Sequence, residues 1–355
     1  MTRGEGRAQP RSGAGIAAEG TEPALIVAAR AGDESAFRKL TQLHVRALHL
    51  HCYRMLGSLH DAEDAVQETL VRAWRHLATF RGDSPVRAWL YRIATNACLT
   101  TRSRERRRAV SEGVQVPDWN AKDVDVVPLE PYPDVWLEEV AIERRDPASR
   151  FDLAESVRLA FLGAIQSLPP RQRAVLLLRD VLGWSAAEVA EALETTATAV
   201  NGLLQRARAT LARLQSAGQF AVQRPALAGH AETAMLQRFV DAWNDADIER
   251  LAALLTEDAL LTMPPEPMAY RGRAAIAEFF ATVPAGGALD RIRLVSVRAN
   301  RRPALAAYLW NDNAGVFEGY GLMVLDCTPS GIAAITGFAD PALLPHFALP
   351  PTLEA

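Results

Sequence analysis

Apolar positions between residues 22 and 108 recur at helical spacing, broken only at Gly57-Ser58 and at the RGDSP run of 81–85. Ala62, Val66, Leu70, Ala73 and Leu77 form one stripe, with Asp61 placed as the expected N-cap and Glu63 and Asp64 in the first turn. A further helix starts after Pro85 and carries Trp89, Ile93, Ala97 and Leu99 towards Arg108. Helical spacing returns over 152–214. It breaks at Leu168-Pro169-Pro170, runs from Arg171 to a stop at Gly183, and restarts at the capping box Ser185-Ala186-Ala187-Glu188. After the turn at 194–196 a last helix runs to about residue 214, giving helix-turn-helix spacing. Beyond 230 the pattern mixes. Met235, Phe239, Trp243 and 251–255 are helical, and then alternating runs at 292–297, 304–310, 316–325 and 332–338 read as a meander of strands.

These zones predict a multidomain chain: two all-α domains followed by an α+β domain with its helices on one sheet face. The expected organisation is a tail at 1–21, a helical bundle at 22–108, a linker at 109–150, a helix-turn-helix unit at 151–214, a linker at 215–230, the α+β domain at 231–348 and a tail at 349–355. Residues 109–143 hold nine acidic residues against Lys122 alone, a net charge of −8. With Pro117, Pro128, Pro131 and Pro133 they predict an extended tether without regular elements.

At 355 residues the chain is too long for one ordinary domain, and 49% hydrophobic content is enough to fill cores. Its net charge of −3 supplies no global positive field, so nucleic-acid binding requires local patches. Cys52, Cys98 and Cys327 have neither ligand spacing nor even pairing, which argues against a disulfide scaffold. The N-terminal stretch lacks an apolar signal segment and no long apolar run spans a membrane, so a cytoplasmic protein is expected.

The densest basic cluster is 100–108, with five arginines, Arg102, Arg104, Arg106, Arg107 and Arg108, against Glu105. Arginine forks engage phosphates, and Trp89 and Tyr91 upstream are ring types on which single-stranded bases stack. The plainer alternatives are a solvated helix end for the arginines and a core position for Trp89. In the helix-turn-helix, Asn201, Gln205 and Arg206 are expected towards base edges, with Arg208, Thr196 and Thr198 towards phosphates. His44, His49, His51, Cys52 and His60 crowd together without ligand spacing, so no metal is expected, nor any cofactor.

The segments DAEDAVQETLVRAW (61–74), FRGD (80–83) and AWLYRIATN (88–96) resemble region 2 of extracytoplasmic-function (ECF) sigma factors of the sigma-70 family. LPPRQR (168–173), WSAAEVA (184–190) and QRAR (205–208) resemble region 4 of the same family. The resemblance implies a factor that brings core RNA polymerase to promoters, with the β′ clamp and β flap as partner surfaces. Asp61, Glu63, Asp64, Gln67 and Glu68 would contact the clamp. Arg81, Asp83, Ser84, Trp89, Tyr91, Asn96, Arg102, Arg104, Arg106 and Arg107 would melt and hold the −10 element. Capturing extruded bases offsets an unstacking cost of about a few kcal/mol each. Ser185, Thr196, Thr198, Asn201, Gln205, Arg206 and Arg208 would read the −35 duplex. The family commonly has Arg-Ser-Arg where this chain has Asn201-Gly202-Leu203, which leaves the −35 sequence unassigned. The acidic linker would suit an RNA channel, or serve as a soluble tether.

FVDAWNDADIERL (239–251), LTEDA (255–259) and YRGR (270–273) resemble a SnoaL-like domain of the NTF2/ketosteroid-isomerase superfamily, a cone of helices on a curved sheet. Phe239 stands where the isomerases carry the oxyanion-donor Tyr, and Met263 where they carry the basic Asp before Pro264. Isomerase chemistry is therefore not expected; Asp258, Asp326 and His346 are the remaining titratable candidates. Phe239, Trp243, Met263, Tyr270 and Trp310 could line a pocket, or simply form the core. The expected whole is a sigma factor without catalysis of its own. Its C-terminal domain would contact the sigma core and modulate promoter binding in place of a separate anti-sigma factor. The alternative is a DNA-binding protein fused to a small-molecule-binding or enzymatic SnoaL-like domain.

Overall fold

The computed structural model describes residues 21–80, 82, 84–111, 129–143, 156–216, 227, 229–264 and 266–354. The first body is helical: α1 (Glu22–Arg30), α2 (Glu34–Gln42), α3 (Val45–Leu56), α4 (Leu59–His76) and α5 (Val86–Ser111). Asp33 caps α2 by accepting from the amides of Ser35 and Ala36. Gly57 ends α3 with φ +85°, a left-handed position natural to glycine. Ser58, not Asp61, caps α4, its hydroxyl accepting from the Asp61 amide at 3.2 Å. Capping bonds reach two or three residues forward, so the true cap lies three positions upstream of the expected one.

Part of the acidic linker is regular and packed, contrary to the expected tether. Residues 134–143 form α6 (Asp134–Glu143), and Leu129, Tyr132, Leu137 and Val140 are buried. The prolines end at Pro133, and beyond it apolar positions three apart face a core. The second helical body holds α7 (Leu159–Gln166), α8 (Pro170–Leu176), a π-helical turn at Leu177–Val181, α9 (Ala186–Ala192) and α10 (Ala197–Ser216). Arg173 is buried. It donates to the carbonyls of Ile165 (2.8 Å), Gln166 (2.5 Å) and Leu168 (3.2 Å) at the end of α7, and to Met55 of α3. One guanidinium thus closes a helix end and joins the two helical bodies.

The third body contains α11 (His230–Asn244), α12 (Ile248–Leu254) and α13 (Arg273–Thr282) on a sheet of β1 (Leu255–Met263), β2 (Glu266–Arg271), β3 (Ile292–Ala299), β4 (Arg302–Asn311), β5 (Val316–Thr328), β6 (Gly331–Phe338) and β7 (Thr352–Leu353). The order is β2-β1-β6-β5-β4-β3: the expected meander from β3 to β6, closed by β1 lying parallel to β6. Residues 349–354, expected as a tail, include β7, which pairs with β5, and apolar Leu349 and Leu353 pack there.

Strand alternation builds two cores. Leu305, Ala307, Leu325 and Ile335 pack with Phe239, Trp243, Ile276 and Phe280 inside the cone. Ala304, Ala306, Tyr308, Leu322 and Val324 belong to the core that continues into the helical bodies. At that seam Asn300 and Arg301, at φ +54° and +59°, turn β3 into β4. Asn300 is 0% exposed. Its Oδ1 accepts from the Tyr132 amide at 2.8 Å, and its Nδ2 donates to Val157 O at 2.7 Å and to Tyr53 Oη at 3.4 Å. Its own amide donates to Tyr132 O at 2.9 Å. One side chain therefore ties the sheet to the linker, to α3 and to the segment entering the second bundle.

Candidate nucleic-acid interface

On α4, Ala62, Ala65, Val66, Thr69 and Ala73 face inward, leaving Asp64, Gln67 and Glu68 exposed and Asp61 and Glu63 half-buried. The expected acidic face is a continuous stripe on one helix. Glu68 pairs with Arg72 at 2.6 Å and Asp64 faces His60 at 3.8 Å. Glu63 Oε1 meets His346 Nδ1 at 3.6 Å, so the C-terminal body reaches this stripe.

The α5 side is different. Trp89 is 6% exposed and stacks on Phe80 at 4.8 Å. Tyr91 is 2% exposed, its hydroxyl donating to Ala47 O at 3.3 Å and its ring packing against His51. The expectation that these rings hold separated bases is corrected, because neither is open to a base in this arrangement. Two residues apart on a helix lie on different faces, and Leu90, Ala94, Ala97 and Cys98 are buried as well, so α5 is enclosed at this level. That enclosing run of apolar residues is the signal that could have identified them as core. Ser84 is exposed just ahead of α5. Asn96 donates to Ala192 O at the end of α9 (3.3 Å), and its neighbour Arg92 pairs with Glu191 at 3.4 Å. Arg102 donates to Leu56 O and to Gln166 Oε1 at 3.5 Å, a structural tie where a phosphate contact was expected. Arg81 and Asp83 lie outside the described residues, as do the side chains of Arg104, Arg106 and Arg107.

The helix-turn-helix is built as its sequence implies. Ser185 and Glu188 form a reciprocal capping box, with Ser185 N donating to Glu188 Oε2 at 2.6 Å and Glu188 N to Ser185 Oγ at 3.2 Å. The Ser185 bonds lower the Glu188 pKa. Thr196 Oγ1 accepts from Ala199 N at 3.1 Å and starts α10. Val200, Leu204 and Ala207 face inward, while Thr198, Asn201, Gln205, Arg206 and Arg208 are exposed. Arg208 forms a bidentate pair with Asp180 at 3.0 and 2.7 Å, so its charge is already compensated within the fold. Ser185 and Thr196 use their hydroxyls as caps. Thr198, Asn201, Gln205 and Arg206 are left as an open polar face beside Gly202.

Comparison with known proteins agrees with this geometry. Residues 40–108 match the model of Sigma-70 region 2, residues 158–211 that of Sigma-70, region 4, and residues 236–323 that of a SnoaL-like domain. The chain is 43% identical over 331 residues to "ECF RNA polymerase sigma factor SigG" of Mycobacterium tuberculosis, covering 91% of this chain and 86% of that one. The chain belongs to the ECF sigma factor family. It is also 33% identical to SigM of the same organism over 58% of this chain and 90% of that relative. The crystal structure of the M. tuberculosis extracytoplasmic function sigma factor SigJ shares the fold, with TM-score 0.55 and 21% identity over 88% of this chain and 99% of that one.

In this ECF sigma factor the SnoaL-like cone encloses a cavity of about 80 Å³, far below ordinary ligand-site volumes of about 300–1,000 Å³. Of the expected pocket residues only Trp243 and Met263 line it. Phe239 is wholly buried in the core, and Tyr270 packs on Phe279 at 4.8 Å. Trp310 sits at the end of β4, its Nε1 donating to Asp312 at 3.0 Å. Among the described residues no carboxylate or histidine lines the cavity. Asp326 instead pairs with Arg302 at 3.1 Å, Asp258 accepts from Thr256 at 3.1 Å, and His346 faces Glu63. Among the described residues no group of three His, Cys, Asp or Glu could hold a metal. The histidines of α3 are core residues: His51 bonds Thr95 at 2.9 Å and His49 bonds Tyr132 Oη at 3.1 Å. Burial lowers their pKa values to about 3 and about 4 respectively. No helix among the described residues is long and apolar enough to cross a membrane.

Proposed function

We propose that this chain brings core RNA polymerase to its promoters in the cytoplasm, contributing recognition and no chemistry of its own. The acidic stripe of α4, Asp61, Glu63, Asp64, Gln67 and Glu68, docks on the polymerase clamp, and the second helical body docks on the flap. Ser84, Asn96, Arg104, Arg106 and Arg107 engage the −10 element. The open face of α10, Thr198, Asn201, Gln205 and Arg206, reads the −35 duplex. The observation that carries this reading is that open face: polar side chains at successive turns on a helix held by a capped partner helix, the form that enters a major groove. A cone cavity of about 80 Å³ with no acid or base among its described lining residues supports recognition over catalysis.

The C-terminal body acts as a restraint. It meets α4 through His346 and Glu63 and, through Asn300, grips the linker and both helical bodies. In this docked arrangement Asn96 is engaged by α9 and the α4 stripe is partly covered, while the −35 face stays open. Release of the restraint uncovers the α4 stripe, and separation of the two helical bodies frees Asn96.

The test is transcription with purified core polymerase on a randomised promoter library. Site-selective initiation is expected, and Asn201→Ala with Gln205→Ala should relax selection at −35 without altering −10 selection. An absence of site-selective initiation by the full chain refutes the proposal.

A further inference from the structure

A crevice of about 410 Å³ opens where α6, α11, β3 and the segment Pro341–Phe347 meet, outside the cone. Its volume lies in the ordinary small-molecule range, about five times that of the cone cavity. Trp136 of α6, Leu236 of α11, Val297 of β3 and Phe347 supply apolar walls. The remaining wall is charged. Asp134 and Glu232, 4% and 8% exposed, share the guanidinium of Arg298 at 3.3 and 2.7 Å. Glu138 adds a third carboxylate, and His346, the other basic residue of the lining, is turned to Glu63. Burial raises the Asp134 pKa, against the bond from the Arg301 amide and the charges of Arg298 and Arg301, which lower it.

Three carboxylates line the cleft, Asp134, Glu138 and Glu232, against the one lining guanidinium of Arg298, with Arg301 acting on Asp134 from outside the lining; the rim is aromatic. An anion entering it would meet net repulsion; an ammonium would be paired by carboxylates and favoured by ring faces. We propose that this crevice binds a small organic cation with a ring-sized apolar body, an aryl-alkyl amine, its ammonium beside Asp134 and Glu232 and its ring against Trp136 and Phe347. Because the walls belong to α6 on one side and to the sheet domain on the other, a bound amine bridges the two and strengthens their docking by mass action. That last consequence rests on the docked-restraint reading above; occupancy of the crevice does not.

Isothermal titration of the full chain with tryptamine tests occupancy, with indole-3-acetate as the probe of matched shape and opposite charge. One-to-one binding of tryptamine is expected, with indole-3-acetate at least tenfold weaker. Thr233→Arg puts a competing guanidinium at the rim from an exposed position, and should weaken tryptamine at least tenfold with the melting temperature unchanged. No binding of tryptamine, equal binding of the two probes, or wild-type binding by T233R overturns the site. A parallel transcription assay reads the consequence: tryptamine should lower promoter-dependent initiation by the wild type and not by T233R. Binding that leaves initiation unchanged overturns the restraint reading and leaves the site standing.

Discussion

Removing the Asn300 side chain should undock the C-terminal body while leaving each body folded. Asn300→Ala strands the Tyr132 amide and the Val157 carbonyl, which the amide group holds at 2.8 and 2.7 Å in a fully buried seam. A buried polar group left unpaired costs about 1–3 kcal/mol, so the two together weaken docking by roughly 2–6 kcal/mol. Alanine adds strain at φ +54°, a cost of order 1–3 kcal/mol, which Asn300→Gly avoids. The glycine variant therefore isolates the hydrogen-bond part. Native-state hydrogen exchange is the assay. The seam amides of residue 300 and Arg301, bonded to Tyr132 and Asp134, should lose protection by tens-fold or more in both variants. Amides inside the cone, such as those of β4, should keep theirs. If seam protection in both variants stays within twofold of wild type, Asn300 does not hold the bodies together and the reasoning fails.

Trp89→Ala and Tyr91→Ala should each cost about 3–5 kcal/mol of stability as core deletions, read from urea midpoints. Trp89→Phe should keep promoter opening near wild type; a collapse of opening at unchanged stability would return Trp89 to the DNA. Ser185→Ala removes half the capping box and should cost about 1 kcal/mol, lowering the melting temperature of the second helical body and weakening −35 selection in parallel. For pH, His49 and His51 have folded pKa values of about 4 and about 3, below the unfolded 6.5. Their neutral forms favour the fold, so their contribution is complete above pH 6.5 and is lost as pH falls towards 4 and 3. Each adds a slope approaching 1.4 kcal/mol per pH unit in that window. His51→Gln should remove one such slope in urea titrations between pH 6.5 and 4.5; an unchanged slope refutes the assignment.

The helical bodies were legible because their signals are local. Ser185 to Glu188 specifies its own cap, and the inward row Val200, Leu204 and Ala207 leaves a polar face that needs no knowledge of the rest of the chain. The strands from β3 to β6 were legible by alternation. The break between α11 and α12 at Ala246, with φ +50°, was not, since alanine gives no hint of a left-handed turn. Nor was the fate of Trp89 and Tyr91. A ring beside an arginine run reads as a stacking platform or as core; the apolar run around it leans towards core, and the packing of α3, Phe80 and the second bundle decides. The linker misled because its acids and prolines outweighed the buried row of Leu129, Tyr132, Leu137 and Val140, which docks residues 129–143. Asn300 had no signal: its partners lie 143, 168 and 247 positions away, beyond any local pattern.

The distance between Tyr132 and Asn300 also carries a timing. Tyr132 leaves the ribosome 168 residues before Asn300. At about 5–20 residues per second that interval is roughly 8–34 s. Throughout it a nascent chain owns α3 and the linker but not yet the hairpin that ties them together. Each newborn molecule thus passes through an unclasped interval before the third body can dock.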